Sequence, residues 1–572
     1  MNRLRNPIRP LRPEVLPVRR RSSRLLVLTT LASLVATAVV GSALPAAADT
    51  APKPGLGLPA TVSTDSLPAP QINGVVWDQV VVGNTVYVAG RFSQARPSGV
   101  GKGATGTAGR VARSNVLAYD ITTGALLPGF APRFNSEVRA IAASADGSKL
   151  FAVGNFTAVN GVTHTRIAAV DARTGANEHF SGSLNSNAYA LATKGNAVYV
   201  GGQFTKASGK KRTRLAAFDA DDGSLRAWAP TADRAVQGLA VAPNGGSVVI
   251  GGHFGKLNGK TSLGSGRVPS TGSAKKNVLW NANKVANNNG ANAAIYSVSG
   301  DRDYVYLTGY SYHQKGVKKR LEGTLAASWS TGNVHWVEDC HGDTYDAVGI
   351  GSVVYTASHA HSCATLGSFT ESKDPVRYNH AMAFTKAARL KLKKPVGNYT
   401  SFAGEPGPAV LNWWPAFTNG TYTGLKQATW TVTGDSRYVV YGGEFPTVNG
   451  TAQQGLARFA VSSIAPNRDG PRVSGDGLKP ALKASGGGAV TITFTSDFDR
   501  DNEYLTYTIT RTTGSEVVSQ AFTSGSRYYF SRPVKTVTQT GLVPGTTYAY
   551  RITATDPFGN TASGTTAYVA AK

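Results

Sequence analysis

From about residue 75 onward, apolar positions alternate or run together in short segments, and each segment stops at Gly, Asn, Asp or Lys. The cleanest stretch is Val198 to Pro230, VYVGGQFTKASGKKRTRLAAFDADDGSLRAWAP. With the residues before it, this stretch predicts four strands in a row, over 188–192, 198–202, 214–219 and 224–228. Short alternating runs bounded by turn formers read as strands. Asp222-Gly223 reads as a tight hairpin turn, because Gly permits the positive φ such turns need. Few segments carry a period of 3.6, so the chain is expected to be all-β.

The same grammar recurs. Gly90-Arg91-Phe92, Gly154-Asn155-Phe156, Gly202-Gln203-Phe204, Gly252-His253-Phe254 and Gly443-Glu444-Phe445 close the second strand of each unit. Ala118-Tyr119-Asp120, Ala169-Val170-Asp171 and Ala217-Phe218-Asp219 close the third. One four-stranded sheet per roughly 40–50 residues is the period of a β-propeller blade. A lone sheet cannot bury both faces, and stacking sheets around an axis does. About seven blades are expected over 75–465, starting near Val75, Val138, Ala188, Val236, Ile295, Tyr345 and Thr429. The last lacks a clear fourth strand, so the N-terminal segment 49–74, around Ala60 to Asn73, is expected to supply it and close the ring. The units GGQFTKASGKKRTRLAAFD and GGEFPTVNGTAQQGLARF resemble the delta-type β-propeller repeats of secreted actinobacterial proteins. That resemblance implies a fold and no particular chemistry, since propellers host enzymes, binders and scaffolds alike.

Residues 466–472 read as a polar Pro/Gly linker, and 473–572 as a separate β-sandwich. Within it, Leu542 to Ala554, LVPGTTYAYRITA, resembles the fibronectin type III signature, with Tyr548 in the tyrosine-corner position and Phe494 where a Trp is usual. Bacterial modules of this type resemble spacers in secreted polysaccharide-degrading enzymes. Asp497, Asp499, Asp501 and Glu503 alternate in its first long loop. Such carboxylates suit a calcium ion, but the loop lacks the Gly and distal Glu of an EF-hand, so a solvated loop is the favoured account.

The first 48 residues read as a leader rather than as fold. Eight Arg between Arg3 and Arg24 precede the apolar run Leu25 to Leu44, and Ala46-Ala47-Ala48 follow. This is the three-part pattern of a secretory signal peptide. The run is also about long enough to be an uncleaved anchor, and the small-residue site favours cleavage. The chain is therefore expected to be extracellular, secreted or surface-associated, with no membrane partner after cleavage.

Formal charge is +26, and about +16 of it falls in the repeat array. Such a balance attracts polyanions. Outside a cell these are acidic glycans or cell-wall polymers, and nucleic acid is excluded as the partner of an exported chain without a nucleic-acid motif. The two cysteines, Cys340 and Cys363, are expected to pair as one disulfide.

Five of the nine histidines, His335, His341, His359, His361 and His380, crowd into the same region as the cysteines. Aligned to the reference unit, Asp339 to Asp343 follow a fourth strand, and His359 to Cys363 end a second strand. Both connections lie on one face of the ring. His341, His361, Asp339 and Asp343 are the candidate catalytic set, because imidazole beside carboxylate titrates near neutral pH. Glu338 is a further carboxylate candidate. His341, His359, His361 and Asp339 are the candidate ligands of one divalent metal. A disulfide-braced structural knot is the alternative. Lys210, Lys211, Arg212, Lys318, Lys319 and Arg320 lie in loops on the same face and are the candidate polyanion-binding residues. Trp413 and Trp414 are candidates for stacking on sugar rings, with burial in a core as the favoured account.

Three functions remain open. The first is a secreted protein that binds acidic polysaccharide or cell-wall polymer through its basic face. The second is a secreted glycosidase or lyase with a His/Asp site in blades five and six, and the third is a structural surface scaffold.

Overall fold

The repeat grammar becomes a series of antiparallel sheets. A computed structural model describes residues 57–100, 109–312, 319–372, 375–513, 516–525 and 530–572. The expected leader and Lys318 lie outside them. Among the described residues no helix is long and apolar enough to cross a membrane.

Seven antiparallel sheets begin with Val75–Val82, Val138–Ala143, Ala188–Lys194, Val236–Val241, Ala293–Gly300, Thr344–Ile350 and Thr429–Gly434. Each of these first strands packs against the first strand of the next sheet, and Thr429–Gly434 packs against Val75–Val82. Three of the second strands, Ala197–Gly202, Ser247–Gly252 and Tyr438–Gly443, are buried along their whole length. A strand covered on both faces reads as a continuous apolar run rather than an alternating one, which is what AVYVGG and SVVIGG show. The cores lie between neighbouring sheets. One joins Phe151, Phe204 and Phe218, and the next joins Tyr199, Trp228 and Phe254.

Among the described residues the expected fourth strand is a full strand only in the fifth and sixth sheets, as Val334–Glu338 and Pro406–Val410. In the first three it shrinks to single bridges, Tyr119↔Leu126, Val170↔Asn177 and Phe218↔Leu225. In the first and third sheets Pro128 and Pro230 follow within a few residues, and Pro has no N–H to extend a ladder. The outer edge of the seventh sheet is met by the N-terminal segment. Leu67 bridges Arg458, its N–H donating to the Arg458 carbonyl at 2.7 Å, and Ser63 N–H donates to the Ala460 carbonyl at 2.9 Å. The buried Arg458 guanidinium donates to the carbonyls of Pro68, Ile121 and Thr122. It thereby ties the N-terminal segment to the first sheet.

At the C-terminus, one sheet holds Ala481–Ser485, Ala489–Thr495 and Val534–Gln539. A second holds Tyr504–Arg511, Glu516–Gly525, Thr547–Thr555, Thr561–Ser563 and Ala567–Ala570. They share one core built on Ile492, Phe494, Tyr507, Tyr550 and Ile552. The Tyr548 hydroxyl accepts the Val543 N–H at 3.0 Å.

The Asp-rich loop is not solvated. Asp497, Asp499 and Asp501 are all buried, because the loop is pressed against the segment around Thr64 and against Trp414. The paired tryptophans are also not available for stacking. Trp413 (0 % exposed) packs among Tyr355, Tyr441 and Phe459, and Trp414 (2 %) packs against Phe369 and Phe530. Large aromatic faces bring the most hydrophobic gain when covered: Trp413 fills the core between the sixth and seventh sheets, and Trp414 covers the seam with the C-terminal sandwich.

Candidate functional site

Every first strand carries a β-bulge at the same place. The ladder register slips between Val76 and Asp78, Val138 and Ala140, Ala188 and Ala190, and Val236 and Gly238. It slips again between Ile295 and Ser297, Thr344 and Asp346, and Thr429 and Thr431. The residue in each slip is Trp77, Arg139, Tyr189, Gln237, Tyr296, Tyr345 or Trp430. A bulge leaves one residue unpaired and re-aims its side chain. All seven line a single cavity of about 310 Å³.

The bulge also explains the Gly that ends the second strand. Gly202 lies opposite Ala188, the residue before the slip, and a Cβ on Gly202 would come within 2.3 Å of the Asn187 carbonyl oxygen. Only Gly allows that approach.

Five of the seven side chains are aromatic, and four of them touch. Trp77 meets Trp430 at 5.1 Å between ring centroids, Trp430 meets Tyr345 at 4.3 Å, and Tyr345 meets Tyr296 at 5.4 Å. The Arg139 guanidinium sits 3.9 Å from the centre of the Trp77 ring. The indole N–H groups of Trp77 and Trp430 donate to Glu137 and Glu444, each at 3.2 Å. These bonds fix the rings. Deeper in the cavity, Asp78 accepts the backbone N–H of Ile141, and Asp346 accepts from Ser297, Thr431 and Val432. Burial pushes Asp78 up to about 7 and Asp346 up to about 6. Beside them the buried Gln79 carboxamide has no protein partner for either polar atom.

Tyr345 leads outward to the histidines. Asp343 N–H donates to His359 Nε2 at 3.1 Å, so the His359 proton sits on Nδ1 and faces Gln427 Oε1 at 3.0 Å. Tyr345 Oη lies 3.2 Å from the same Nδ1. Beyond His359, Tyr378 stands edge-on to both His359 and His361. His361 Nδ1 lies 3.5 Å from Glu371 Oε1, and the Tyr399 hydroxyl donates to Glu371 Oε2 at 3.2 Å. His341 stacks on Tyr399, and its Nε2 lies 3.5 Å from Asp339 Oδ2. The Cys340–Cys363 disulfide joins the two connections that carry this cluster.

The chemistry of this pocket follows from burial. Burial holds His361 down near 4, despite the opposing pull of Glu371. Burial lifts Glu322 to about 8, helped by Asp343 and Asp339 and opposed by a bond from the Gly342 N–H. At neutral pH the cluster therefore holds a neutral imidazole at His361 and a protonated carboxyl at Glu322, the latter near Asp339 and Asp343. Asp339 Oδ2, both ring nitrogens of His341 and Nδ1 of His361 are buried without a hydrogen-bond partner in good geometry. Most buried polar atoms in folded proteins find a partner, and four without one lie on three neighbouring residues here.

Of the residues expected from the sequence, Asp339, His341 and His361 come together. Asp343 and His359 pair with each other on the side of the cavity, beside Tyr345. Among the described residues no group of three or more His, Cys, Asp or Glu side chains is placed to hold a metal ion, so His341, His359, His361 and Asp339 are not assembled as one ligand set. His380 is buried, between the Ser358 carbonyl and Asn419, and His335 stacks on Tyr304 away from the cluster. Glu338 is buried and accepts the Cys340 N–H at 2.9 Å.

Lys210 and Lys211 are exposed on the short hairpin that follows the second strand of the third sheet. This hairpin is on the bulge side of the sheet, because it continues from Gly202, which pairs beside the slip. Arg212, Lys319 and Arg320 instead place their charged groups on backbone carbonyls, of Arg226, Lys284 and Asn287 respectively.

No protein-family model and no curated protein matches this sequence. Among solved structures, the computationally designed Ika8 protein is similar at TM-score 0.36 and 11 % identity, over 70 % of this chain and 100 % of that one. The beta-propeller domain of Myceliophteria thermophila Cps50 (Swd1) is similar at TM-score 0.33 and 8 % identity, over 67 % of this chain and 98 % of that one. The described residues are all-β, and a propeller domain is among the chain's structural neighbours.

Proposed function

We propose that this chain is a secreted glycan-binding protein. The seven sheets are the blades of a β-propeller closed by the N-terminal segment, and the C-terminal sandwich is a fibronectin type III spacer. The ligand is an acidic polysaccharide or cell-wall polymer, taken at the cavity mouth. The observation that carries this reading is the ring of bulge side chains. Aromatic faces match the C–H faces of sugar rings, Gln237 and Gln79 offer carboxamides to hydroxyls, and Arg139 offers a fork to a uronate or phosphate. Lys210 and Lys211 raise the local concentration of a polyanion over the same face. The test is calorimetric titration with acidic and neutral oligosaccharides. Binding should favour the acidic set, weaken with salt, and fall at least about tenfold in Trp77→Ala and Arg139→Ala. Equal affinity of both variants and wild type for every acidic ligand would remove the mouth as the site.

A second reading is supported by the unpartnered polar atoms of Asp339, His341 and His361 beside Glu322. It makes the chain a glycosidase or lyase, with a neutral histidine as proton acceptor and Glu322 as proton donor. Folded His341→Ala and His361→Ala variants that turn over polysaccharide as fast as wild type would dismiss it.

A further inference from the structure

A second place where charge is buried lies far from the mouth, in the loop around Asp499 of the C-terminal sandwich. Asp499 is 0 % exposed, and Asp501 and Asn502 are each 1 % exposed. Asp501 Oδ2 accepts from Ser63 Oγ at 3.1 Å, Thr64 N at 2.6 Å and Thr64 Oγ1 at 3.0 Å, so this carboxylate joins the sandwich to the N-terminal segment. Its Oδ1 accepts Asn502 Nδ2 at 2.8 Å. Asp499 Oδ1 accepts the Asp501 N–H at 3.1 Å, and the Asp499 carboxyl lies against that of Asp501. Asp499 Oδ2 and Asn502 Oδ1 are buried and meet no donor. The two arginines at hand are committed elsewhere, since Arg472 and Arg500 both pair with Asp469. Asn412 and Trp414 close the loop from the other side, through the carbonyls of Asp499 and Arg500.

Two buried carboxylates in contact repel one another unless a shared proton or a cation lies between them, and a bound cation takes the place of that proton. The available donors are all oxygen: two carboxylates, a carboxamide and the carbonyls of the loop. An all-oxygen set of mixed charge and irregular geometry suits calcium over zinc, copper or magnesium. We propose that Asp499, Asp501 and Asn502 bind one calcium ion, which locks the sandwich against the strip at Ser63 and Thr64. The Asn502 carboxamide turns over on binding and presents Oδ1 in place of Nδ2, which leaves its outline unchanged. The site is independent of any ligand at the mouth. It has two carboxylates, with the third side-chain oxygen coming from an amide.

The test uses the full exported protein, stripped with EDTA and scanned for its melting temperature with and without about 5 mM calcium, above the range of weak extracellular sites. Calcium is expected to raise the melting temperature by a few degrees. Magnesium is expected to do much less, and Asp499→Asn is expected to abolish the calcium effect. No calcium effect on wild type overturns the proposal, as does an equal effect on wild type and Asp499→Asn. If the variant does not fold, terbium replaces calcium in the wild type. Emission sensitised by indole excitation, displaced by calcium and weakened in Trp414→Phe, supports the site; absence of such emission overturns it.

Discussion

His341 lies flat on Tyr399, with ring centroids 3.8 Å apart and planes inclined by 10°. The two come from different places. His341 sits in a tight turn after the fourth strand of the fifth sheet, at φ +40°, and Tyr399 comes from a loop of the sixth. Their contact completes the pocket that the disulfide begins.

That stack should be visible in solution. Tyr399→Ala is expected to move the His341 ring resonances downfield, because the ring current above them is lost, and to cost about 1 kcal/mol beyond area. Tyr399→Phe keeps the ring and should leave those resonances in place, while losing the bond to Glu371. Proton–carbon NMR of the two variants decides it; identical shifts in Ala, Phe and wild type would mean the stack does not form.

The disulfide closes a span of 23 residues. Loop-closure entropy in the unfolded chain makes such a link worth about 3 kcal/mol. The Cys340→Ser/Cys363→Ser double variant should therefore lose that much in denaturant titration. Because Cys340 adjoins His341 and Cys363 follows His361 by two, it should also lower binding or turnover at the pocket. A stability loss with every ligand response intact would leave the cysteines a purely structural role.

Glu338 gives a pH prediction. Burial raises its carboxyl from 4.5 to about 8, against bonds from Thr324 and Cys340. The folded chain then holds a proton that the unfolded chain has released, so stability falls as pH rises from about 4.5 to about 8. Glu338→Gln keeps an acceptor for the Cys340 N–H and removes the titration. Its melting temperature should match wild type near pH 4.5 and exceed it at pH 8, by the equivalent of a few kcal/mol. A constant difference across that range would mean Glu338 is ionised throughout.

Much of the strand plan was legible because the unit repeats. Gly202-Gln203-Phe204 and its counterparts mark where the second strand meets a bulge, and the fully buried Phe204 shows why the Phe recurs. The expected fourth strands were overdrawn, since alternation in Ser224 to Trp228 is the same whether a segment makes one bridge or five. The pocket was partly legible. The address of Cys340, His341, His361 and Cys363 followed from alignment to the repeat. Tyr399 did not, because its loop has no counterpart in the other units. Trp77, Tyr189, Tyr296, Tyr345 and Trp430 share one column of the repeat, near the start of the first strand of each unit, and that column was the available signal for the mouth.

Local sequence determined what local physics controls: short strands, turns at Gly and Asp, and the pairing partners within a unit. It also determined the lopsided charge and the single cysteine pair. Tertiary structure decided what depends on residues far apart in the chain. A slipped register turned seven ordinary strand positions toward one cavity. A loop placed Tyr399 over His341, and a seam between two bodies buried Trp414 and Asp499. Each of these depends on the shape of a space built by several segments, and no segment carries that shape in its own pattern.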